Sequence, residues 1–281
     1  MKSTIELKHI SKAFSSSSFG DLVEGNLASL LVLKKALGFD ESSSVEIRHL
    51  YEKAFEYLNK NYQSEYIYKC MLYKKVVLGK HSPNTAGLLS ELKLGSSKVD
   101  AFVVNGIATS YEIKSEFDNL DRVRKQLEDY AKYSDKVFVV GPESKADYFK
   151  KNIDESFGIK VLTKRGQFSI VRDSKLFEPI YSPAKVLSLL NSNELKDVAR
   201  EYGTAIDEVP NTQLFRVCEE LLSNISRYEL KSIALSALKK RGIDNNKLLV
   251  RLPFELSGRA VRHKLSKRKQ MKVIEALATQ I

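Results

Sequence analysis

The sequence has very few cysteines and lacks a long apolar run. Its cysteines, Cys70 and Cys218, lie far apart in segments with helical patterns, so neither a disulfide framework nor a zinc site is indicated. The longest apolar stretches, such as Leu27 to Leu33, are too short to cross a bilayer. The first residues, Met1 to Glu6, contain no apolar signal-peptide core. We therefore expect a protein of the reducing cytoplasm without a membrane partner.

Internal repeats and heptads are also missing, and the one low-complexity stretch is the four serines at 15–18. With 281 residues, 43% of them hydrophobic and 29% charged, the chain is long enough to bury an ample core. Its patterns predict three parts: a helical N-terminal segment at 1–61, a mixed core at 62–175 and a helical, basic C-terminal region at 182–281.

Several predicted helix ends depend on glycine and proline. In the N-terminal segment we expect helices at 21–37 and 45–58, preceded by a loop over the serines. Ser182-Pro183 is a good helix start, because proline is favoured at the first helical position. Gly203 and Gly242 are expected to end helices in the C-terminal region.

The middle of the chain reads as paired strands. Residues 98–104 are mostly apolar and β-branched and end in Asn105-Gly106, a strong signal for a two-residue hairpin. A second strand follows over Ile107 to Ser115, so Asp100 and Glu112 are expected on neighbouring strands. Lys136 to Gly141 follows as a short strand buried on both faces.

One glutamate-x-lysine pair stands in a setting suited to chemistry. The pattern occurs six times in the chain, so the pattern alone indicates little. Because side chains alternate along a strand, Glu112 and Lys114 share one face. A helix is predicted from about Asp118 to Tyr133, with Asp118 or Asn119 as its N-cap, and it carries Gln126 and Tyr130 one turn apart.

The order and spacing of these residues resemble the PD-(D/E)XK nuclease superfamily, which includes many restriction endonucleases, archaeal Holliday-junction resolvases and the RecB nuclease domain. The resemblance covers about residues 62–170: helix, strand, strand with Asp100, strand with Glu112-x-Lys114, helix with Gln126-x-x-x-Tyr130, strand. The Gln-x-x-x-Tyr element is typical of the RecB-like branch, and other segments look like a little-studied bacterial family within it. The resemblance implies an α/β restriction-endonuclease-like core (αβββαβ, a mixed sheet flanked by helices) and nuclease activity.

The same chemistry follows from the residues. Two neighbouring carboxylates repel each other unless a cation lies between them, and hard oxygen ligands suit Mg²⁺, or Mn²⁺. Asp100 and Glu112 are the expected ligands, with the backbone carbonyl of Ile113 a candidate third. A bound metal would activate water, and Lys114 would orient that water or stabilise the transition state. Gln126 and Tyr130 would face the site from the helix.

Some assignments have competing interpretations. The superfamily often supplies a further acidic ligand from upstream, for which Glu91, in a predicted strand beside Asp100, and Glu65, at a helix start, are the candidates. Glu65 would equally serve as a first-turn residue that complements the helix dipole. Arg122 would contact a phosphate or pair with Asp118. The central acidic residues would alternatively form a structural ion-pair cluster, and the helix would simply pack Tyr130 and expose Gln126.

Positive charge is concentrated near the end of the chain. Residues 227–281 contain fourteen Lys or Arg against four Asp or Glu, a net +10 of the total +11. The cluster that includes Arg259, Arg262, Lys267 and Arg268 predicts binding to a polyanion. The alternatives are a solvated helix face or contact with an anionic membrane surface, for which the tail has few large apolar residues.

Together these observations predict a metal-dependent nuclease that hydrolyses nucleic acid, with DNA favoured over RNA by the resemblance. A role in defence against foreign DNA is an expectation drawn from the same source. Cutting both strands of a duplex would favour two active sites and hence a homodimer. The competing hypotheses are a catalytically silent protein on the same fold that binds nucleic acid or regulates a partner, and a nuclease toxin restrained by a partner.

Overall fold

The computed structural model of the chain describes residues 4–80, 83–116, 118–163, 165–206, 209–261 and 265–281. The helices in these ranges are α1 (Thr4–Lys12), α2 (Ser16–Glu24), α3 (Ala28–Leu37), α4 (Ile47–Asn61), α5 (Glu65–Leu72), α6 (Val123–Ala131), α7 (Ala146–Asn152), α8 (Pro183–Leu189), α9 (Ser192–Glu201), α10 (Leu214–Ser223), α11 (Arg227–Leu249), α12 (Ser257–Ala260) and α13 (Lys267–Leu277). Of these described helices, none is both long and apolar enough to span a membrane.

The strands are β1 (Gly87–Leu89), β2 (Leu92–Leu94), β3 (Ser97–Val99), β4 (Ala101–Asn105), β5 (Ile107–Ile113), β6 (Lys136–Pro142), β7 (Gly158–Leu162) and β8 (Phe168–Arg172). Six of them form a sheet in the order β1-β4-β5-β6-β7-β8, while β2 and β3 pair separately. Strands β5, β6 and β7 are parallel, and the outer pairings are antiparallel. The protein therefore belongs to the α/β class, with a mixed sheet flanked by helices, as the sequence predicted.

The sheet is apolar on both faces because successive side chains of its central strands enter two different cores. In β6, Phe138 and Val140 enter one core, and Val137 and Val139 enter the other. The prediction that this strand is buried on both faces is confirmed.

Neither core belongs to one of the three parts predicted along the chain. The first core joins helices α1–α5 to the sheet and to residues 249–277 near the end of the chain. The second core joins the opposite face of the sheet to α6–α11. The N-terminal helices and the C-terminal region thus pack against the sheet. The three predicted parts are consecutive in the sequence, but they share their apolar cores.

Local signals predicted several element boundaries. The hairpin between β4 and β5 is confirmed, although the pairing of Asn105 with Ile107 leaves Gly106 alone at the tip. Ser182 caps α8 and Pro183 is its first residue, as expected. The loop predicted over the four serines is wrong, because Ser15 accepts a hydrogen bond from the backbone N–H of Ser18 and thereby starts α2.

The prediction that Gly242 ends a helix is also wrong, since Gly242 lies inside α11. The reason is a close contact between that helix and β1. A Cβ atom on Gly242 would lie 2.4 Å from the backbone nitrogen of Leu88, and one on Gly87 would lie 2.6 Å from the Cα of Lys239. Glycine is required here because two backbones touch, a distant constraint that resembles a helix stop in the sequence.

We expect Gly242→Ala to lower the free energy of unfolding by about 1–3 kcal/mol, because the added methyl group meets backbone that cannot move aside. The matched control is Gly20→Ala inside α2, where an added Cβ has nothing within 4 Å. That substitution should be neutral or stabilising by about 0.5–1 kcal/mol. Denaturant unfolding of both variants measures the difference, and equal stabilities would contradict the proposed contact.

Candidate active site

Five elements bring polar side chains together beside the end of β5. The strand itself carries Glu112, and Lys114 follows it directly. Asp100 lies between β3 and β4, and Glu91 lies in the turn between β1 and β2. Helix α5 adds Glu65 and Lys69, and helix α6 adds Gln126 and Tyr130. The residues singled out in the sequence around Asp100 and Glu112 are therefore neighbours in space.

Three carboxylates surround one ammonium group. The Nζ atom of Lys69 lies 2.7 Å from an oxygen of Glu65, 2.8 Å from one of Glu91 and 3.1 Å from one of Asp100. Among the described residues, these three acidic side chains each offer an oxygen within 4.8 Å of the others, a spacing that suits a shared metal ion. We refer to Glu65, Glu91 and Asp100 as the acidic cluster. Their oxygens are the hard ligands that Mg²⁺ and Mn²⁺ prefer.

The acidic cluster coincides with a break in strand pairing. Leu89 of β1 pairs with Phe102 of β4, and Leu92 of β2 pairs with Val99 of β3. The two strand pairs therefore have the same register, although the pairing is interrupted between them. Continued across the break, this register would set Glu91 opposite Asp100, where like charges destabilise a pair of strands. The prediction that Glu91 lies within a strand is therefore wrong, since the chain turns at Glu91 between β1 and β2.

Glu91 also has an unusual backbone. Its φ angle is +56°, and among the described residues it is the non-glycine residue with positive φ. This left-handed conformation costs about 1 kcal/mol or more for a residue with a side chain. Strain of this kind collects at functional sites, so the conformation favours a functional role for the turn.

Burial and mutual repulsion disfavour the charged forms of Asp100 and Glu112. Burial raises the pKa of Glu112 to about 7, with a further upward contribution from Asp100 and an opposing one from Lys114. Burial also raises the pKa of Asp100, against the charge of Lys69. Burial alone would lower the pKa of Lys69, but Asp100 and Glu65 raise it above its usual value. The site therefore favours bound positive charge.

A second group of contacts joins β5 to α6. Nζ of Lys114 lies 2.7 Å from Glu112 Oε1 and donates a hydrogen bond of 3.0 Å to Gln126 Oε1. The hydroxyl of Tyr130 lies 2.7 Å from Glu112 Oε2 and 2.8 Å from the carbonyl oxygen of Lys98. Glu112 and Lys114 share one face, as predicted, and both helix residues contact them. Glu112 is not a member of the acidic cluster but is held beside it.

Two secondary candidates lie elsewhere. Helix α6 begins at Val123, later than predicted, and its N-cap is Arg122, which makes no side-chain cap. The prediction that Asp118 caps this helix is wrong, because Asp118 Oδ2 accepts hydrogen bonds from the backbone N–H and the hydroxyl of Ser115. Asp118 thereby fixes the chain after Lys114, while Arg122 is exposed at the start of α6.

Lys69 is the residue of this site that sequence reasoning missed. Its side chain is only 12% exposed and is the one cation that contacts all three members of the acidic cluster within the described ranges. A signal was present, since Lys69 follows Glu65 by four residues, the spacing that pairs charges along a helix. Its contacts with Glu91 and Asp100 depend on how α5 packs and could not be read locally.

The predicted basic cluster divides into two places. Arg259, on α12, is half-buried: its Nε donates to the carbonyl oxygen of Phe14, and its Nη1 lies 3.2 Å from Ser16 Oγ. Lys267 and Arg268 are exposed in the first turn of α13. Arg262 lies outside the described residues. Of these four residues, Lys267 and Arg268 are the two that the structure describes with the exposure expected of residues that contact a phosphate backbone.

Comparison with known proteins identifies a phage family. The family described as bacteriophage P4 protein cII matches residues 58–271, well over half of the chain. The chain belongs to this family. Protein cII of Enterobacteria phage P4 is 26% identical over 176 residues, which cover 60% of this chain and 63% of the phage protein. The match thus spans less than two thirds of that cII protein. The family's range includes every residue of the acidic cluster, as well as Lys69 and Lys114.

One solved structure is also similar. The SPO1766 protein of unknown function from Silicibacter pomeroyi aligns with 45% of this chain and 85% of its own, at 11% identity and a TM-score of 0.30. This likeness is too weak to carry an argument about the cII family member described here.

We expect Lys69→Met to lower the free energy of unfolding by roughly 3 kcal/mol, because three carboxylates would lose their shared ammonium. Millimolar Mn²⁺ should restore part of this loss and raise the melting temperature of the variant more than that of the wild type. The control is Lys53→Met, which removes an exposed pair with Glu56 and should cost at most about 0.5 kcal/mol. If the Lys69→Met protein is stable and its melting temperature does not change with Mn²⁺, the acidic cluster does not bind metal.

Proposed function

We propose that this protein is a metal-dependent nuclease that hydrolyses phosphodiester bonds, in DNA more readily than in RNA. The observation that carries this proposal is the acidic cluster beside Glu112 and Lys114. The combination supplies negative oxygens for a divalent ion and a fixed ammonium group within one small volume. Both would promote phosphodiester hydrolysis, because negative charge develops on the phosphate as water attacks it.

The order of elements supports a restriction-endonuclease-like core of the PD-(D/E)XK type. Helix α5 is followed by the β1–β4 ribbon with Asp100, by β5 with Glu112 and Lys114, by α6 with Gln126 and Tyr130, and by β6. This succession agrees with the resemblance described for the sequence. The break at Glu91 adds a feature that the resemblance did not predict.

The donor set fits Mg²⁺ or Mn²⁺. Glu65, Glu91 and Asp100 would hold the ion, with Glu112 beside them. A bound divalent ion lowers the pKa of its water and offsets charge that develops on the phosphate. Lys69 neutralises the same three carboxylates, so its ammonium must give way when they hold a divalent ion.

The remaining residues have distinct tasks in this proposal. Lys114 would stabilise negative charge on the scissile phosphate, and its contacts with Glu112 and Gln126 fix the direction of its ammonium group. Tyr130 holds the carboxylate of Glu112 through its hydroxyl group. Gln126 anchors Lys114 to α6, so it is a positioning residue.

Lys267 and Arg268 are proposed to bind the phosphate backbone of the substrate. Positive side chains in the first turn of a helix are unfavourable, since the helix dipole is positive there. The first turn of α13 nevertheless carries these exposed residues together with Lys269, which pairs with Glu24 at 2.7 Å. Binding to a polyanion would offset this unfavourable interaction with the helix dipole.

A catalytically silent protein that binds nucleic acid is the competing candidate. The ammonium of Lys69 within the acidic cluster favours it, because an internal cation satisfies the carboxylates without metal. The two candidates differ in one observable. Only the nuclease should cleave nucleic acid in a reaction that requires a divalent ion, Mg²⁺ or Mn²⁺, and that also requires Lys114.

We expect Lys114→Ala to reduce cleavage by about a hundredfold or more, because the variant loses the charge that faces the phosphate. The assay uses Mg²⁺ or Mn²⁺ with supercoiled plasmid, linear duplex, single-stranded DNA and structured RNA. The matched control is Lys196→Ala, which removes the lysine of another Glu-x-Lys pair away from the site. Activity that survives equally in both variants would assign the cleavage to a contaminant or to another site.

The double variant Lys267→Ala/Arg268→Ala should reduce the slope of log Kd against log salt concentration by about 1.4–1.8. The lower value applies to single strands. It should also leave the protein folded and slightly more stable, because positive charge is removed from a helix N-terminus. Lys150→Ala/Lys151→Ala on α7 provides an equal loss of exposed charge. Equal slopes for the two double variants would show that the first turn of α13 is a solvated surface that does not contact the phosphate backbone.

A further inference from the structure

A cavity of about 690 Å³ opens beside the acidic cluster. Glu65, Lys69 and Glu91 form part of its lining, and the rest comes from the N-terminal helices and from α12. Its volume lies within the usual range of sites for one small ligand. The cavity is therefore large enough for a single nucleotide residue whose phosphate would face the acidic cluster.

The walls combine aromatic rings with cations. Tyr62 and Tyr66 contribute ring surface, with the buried ring of Phe14 packed behind Tyr66, and Lys12 and Arg259 contribute positive charge. Aromatic surface beside cationic groups is the composition that binds unpaired nucleic acid, because each base offers a flat face and each phosphate a negative charge. Positive charge in the wall suits a ligand that carries phosphate better than a purely apolar one.

Arg259 is held in place across the cavity wall. Its guanidinium group lies 5.1 Å from the centre of the Tyr66 ring, and it donates to the carbonyl oxygen of Phe14. The ring of Phe14 lies 5.0 Å from that of Tyr66, so the three side chains form one unit. Guanidinium has five N–H donors, and the two hydrogen bonds of Arg259 described above use two of them.

The turn at Ser90 and Glu91 forms the part of the cavity wall next to the acidic cluster. Ser90 lines the cavity, and its Oγ lies beside the buried hydroxyl of Tyr73. A polar group of a bound ligand would give these two hydroxyls a further hydrogen bond. The strained backbone of Glu91 follows Ser90 directly.

We infer that this cavity receives one unpaired nucleotide of the substrate strand, so that the enzyme acts on single strands and unpaired ends and not on the interior of a duplex. The inference rests on the proposed nuclease function and names its substrate class. Bases within a duplex are stacked and paired, and placing one in a pocket requires that it be extruded. An unpaired end enters without that cost.

The first test compares substrates that differ only in pairing. Wild-type protein with Mn²⁺ is given a single strand, the same strand in a blunt duplex, that duplex with an unpaired tail, and a covalently closed circular duplex. We expect the single strand and the tail to be cleaved at least about tenfold faster than the closed circle, the ratio that the cost of unstacking a base implies. Equal cleavage of the closed circle would overturn the inference while leaving the nuclease intact.

The second test fills the cavity. Ser11 lies on α1 and lines the cavity, so Ser11→Trp would place a ring inside it. The matched control is His9→Trp, which adds the same ring at an exposed position of the same helix. We expect Ser11→Trp to lose about tenfold or more of its single-strand cleavage and His9→Trp to keep it, with thermal unfolding confirming that both are folded.

Binding separates failure of this inference from failure of the proposed function. A fluorescein-labelled oligothymidylate is titrated in Ca²⁺ and followed by anisotropy. If no substrate is cleaved but Ser11→Trp alone weakens binding about tenfold, the cavity is a nucleotide site on a protein that is not a nuclease. Equal binding or equal cleavage by folded Ser11→Trp and His9→Trp would overturn the inference. Absence of binding by the wild type would overturn it as well.

Discussion

Repulsion between buried carboxylates is the constraint on which the centre of this molecule depends. Asp100 and Glu112 are buried at the end of β5, where water screens their charges little, and the partly buried Glu91 and the exposed Glu65 approach them. Two lysines neutralise these carboxylates. Lys69 covers the acidic cluster and Lys114 covers Glu112. Since Lys69 reaches the cluster from α5, the packing of α5 against the sheet determines whether these carboxylates are neutralised.

Sequence reasoning succeeded where a local pattern carries the information. The apolar run of β6, the hairpin at Gly106 and the shared face of Glu112 and Lys114 all follow from alternation and turn chemistry over a few residues. The contact between Gln126 and Lys114 required only that α6 fold back onto β5. In such cases local preference and tertiary structure agree, and the prediction needed no knowledge of distant partners.

It failed where a distant contact decides the local structure. Gly242 resembles a helix stop but lies within α11, because β1 approaches that helix too closely for a side chain. The strand expected through Glu91 breaks because its continuation would place Glu91 opposite Asp100. The basic cluster shows the same limit: Arg259 binds the chain at Phe14, whereas Lys267 faces solvent. Charge density in a sequence does not distinguish an internal cation from an exposed one.

The extent of the family match separates the proposed chemistry from the cavity beside it. The match with the cII family begins at residue 58, so it includes the acidic cluster and Arg259 but not α1 or Phe14. The α1 side of the cavity wall therefore comes from a segment outside the matched range, while the carboxylates and Lys69 come from inside it. If the cavity receives a strand end as proposed, changes in that wall would alter which ends enter without altering the groups proposed to face the phosphate. Arg259 connects the two, since it belongs to the matched segment and donates to Phe14 in the other.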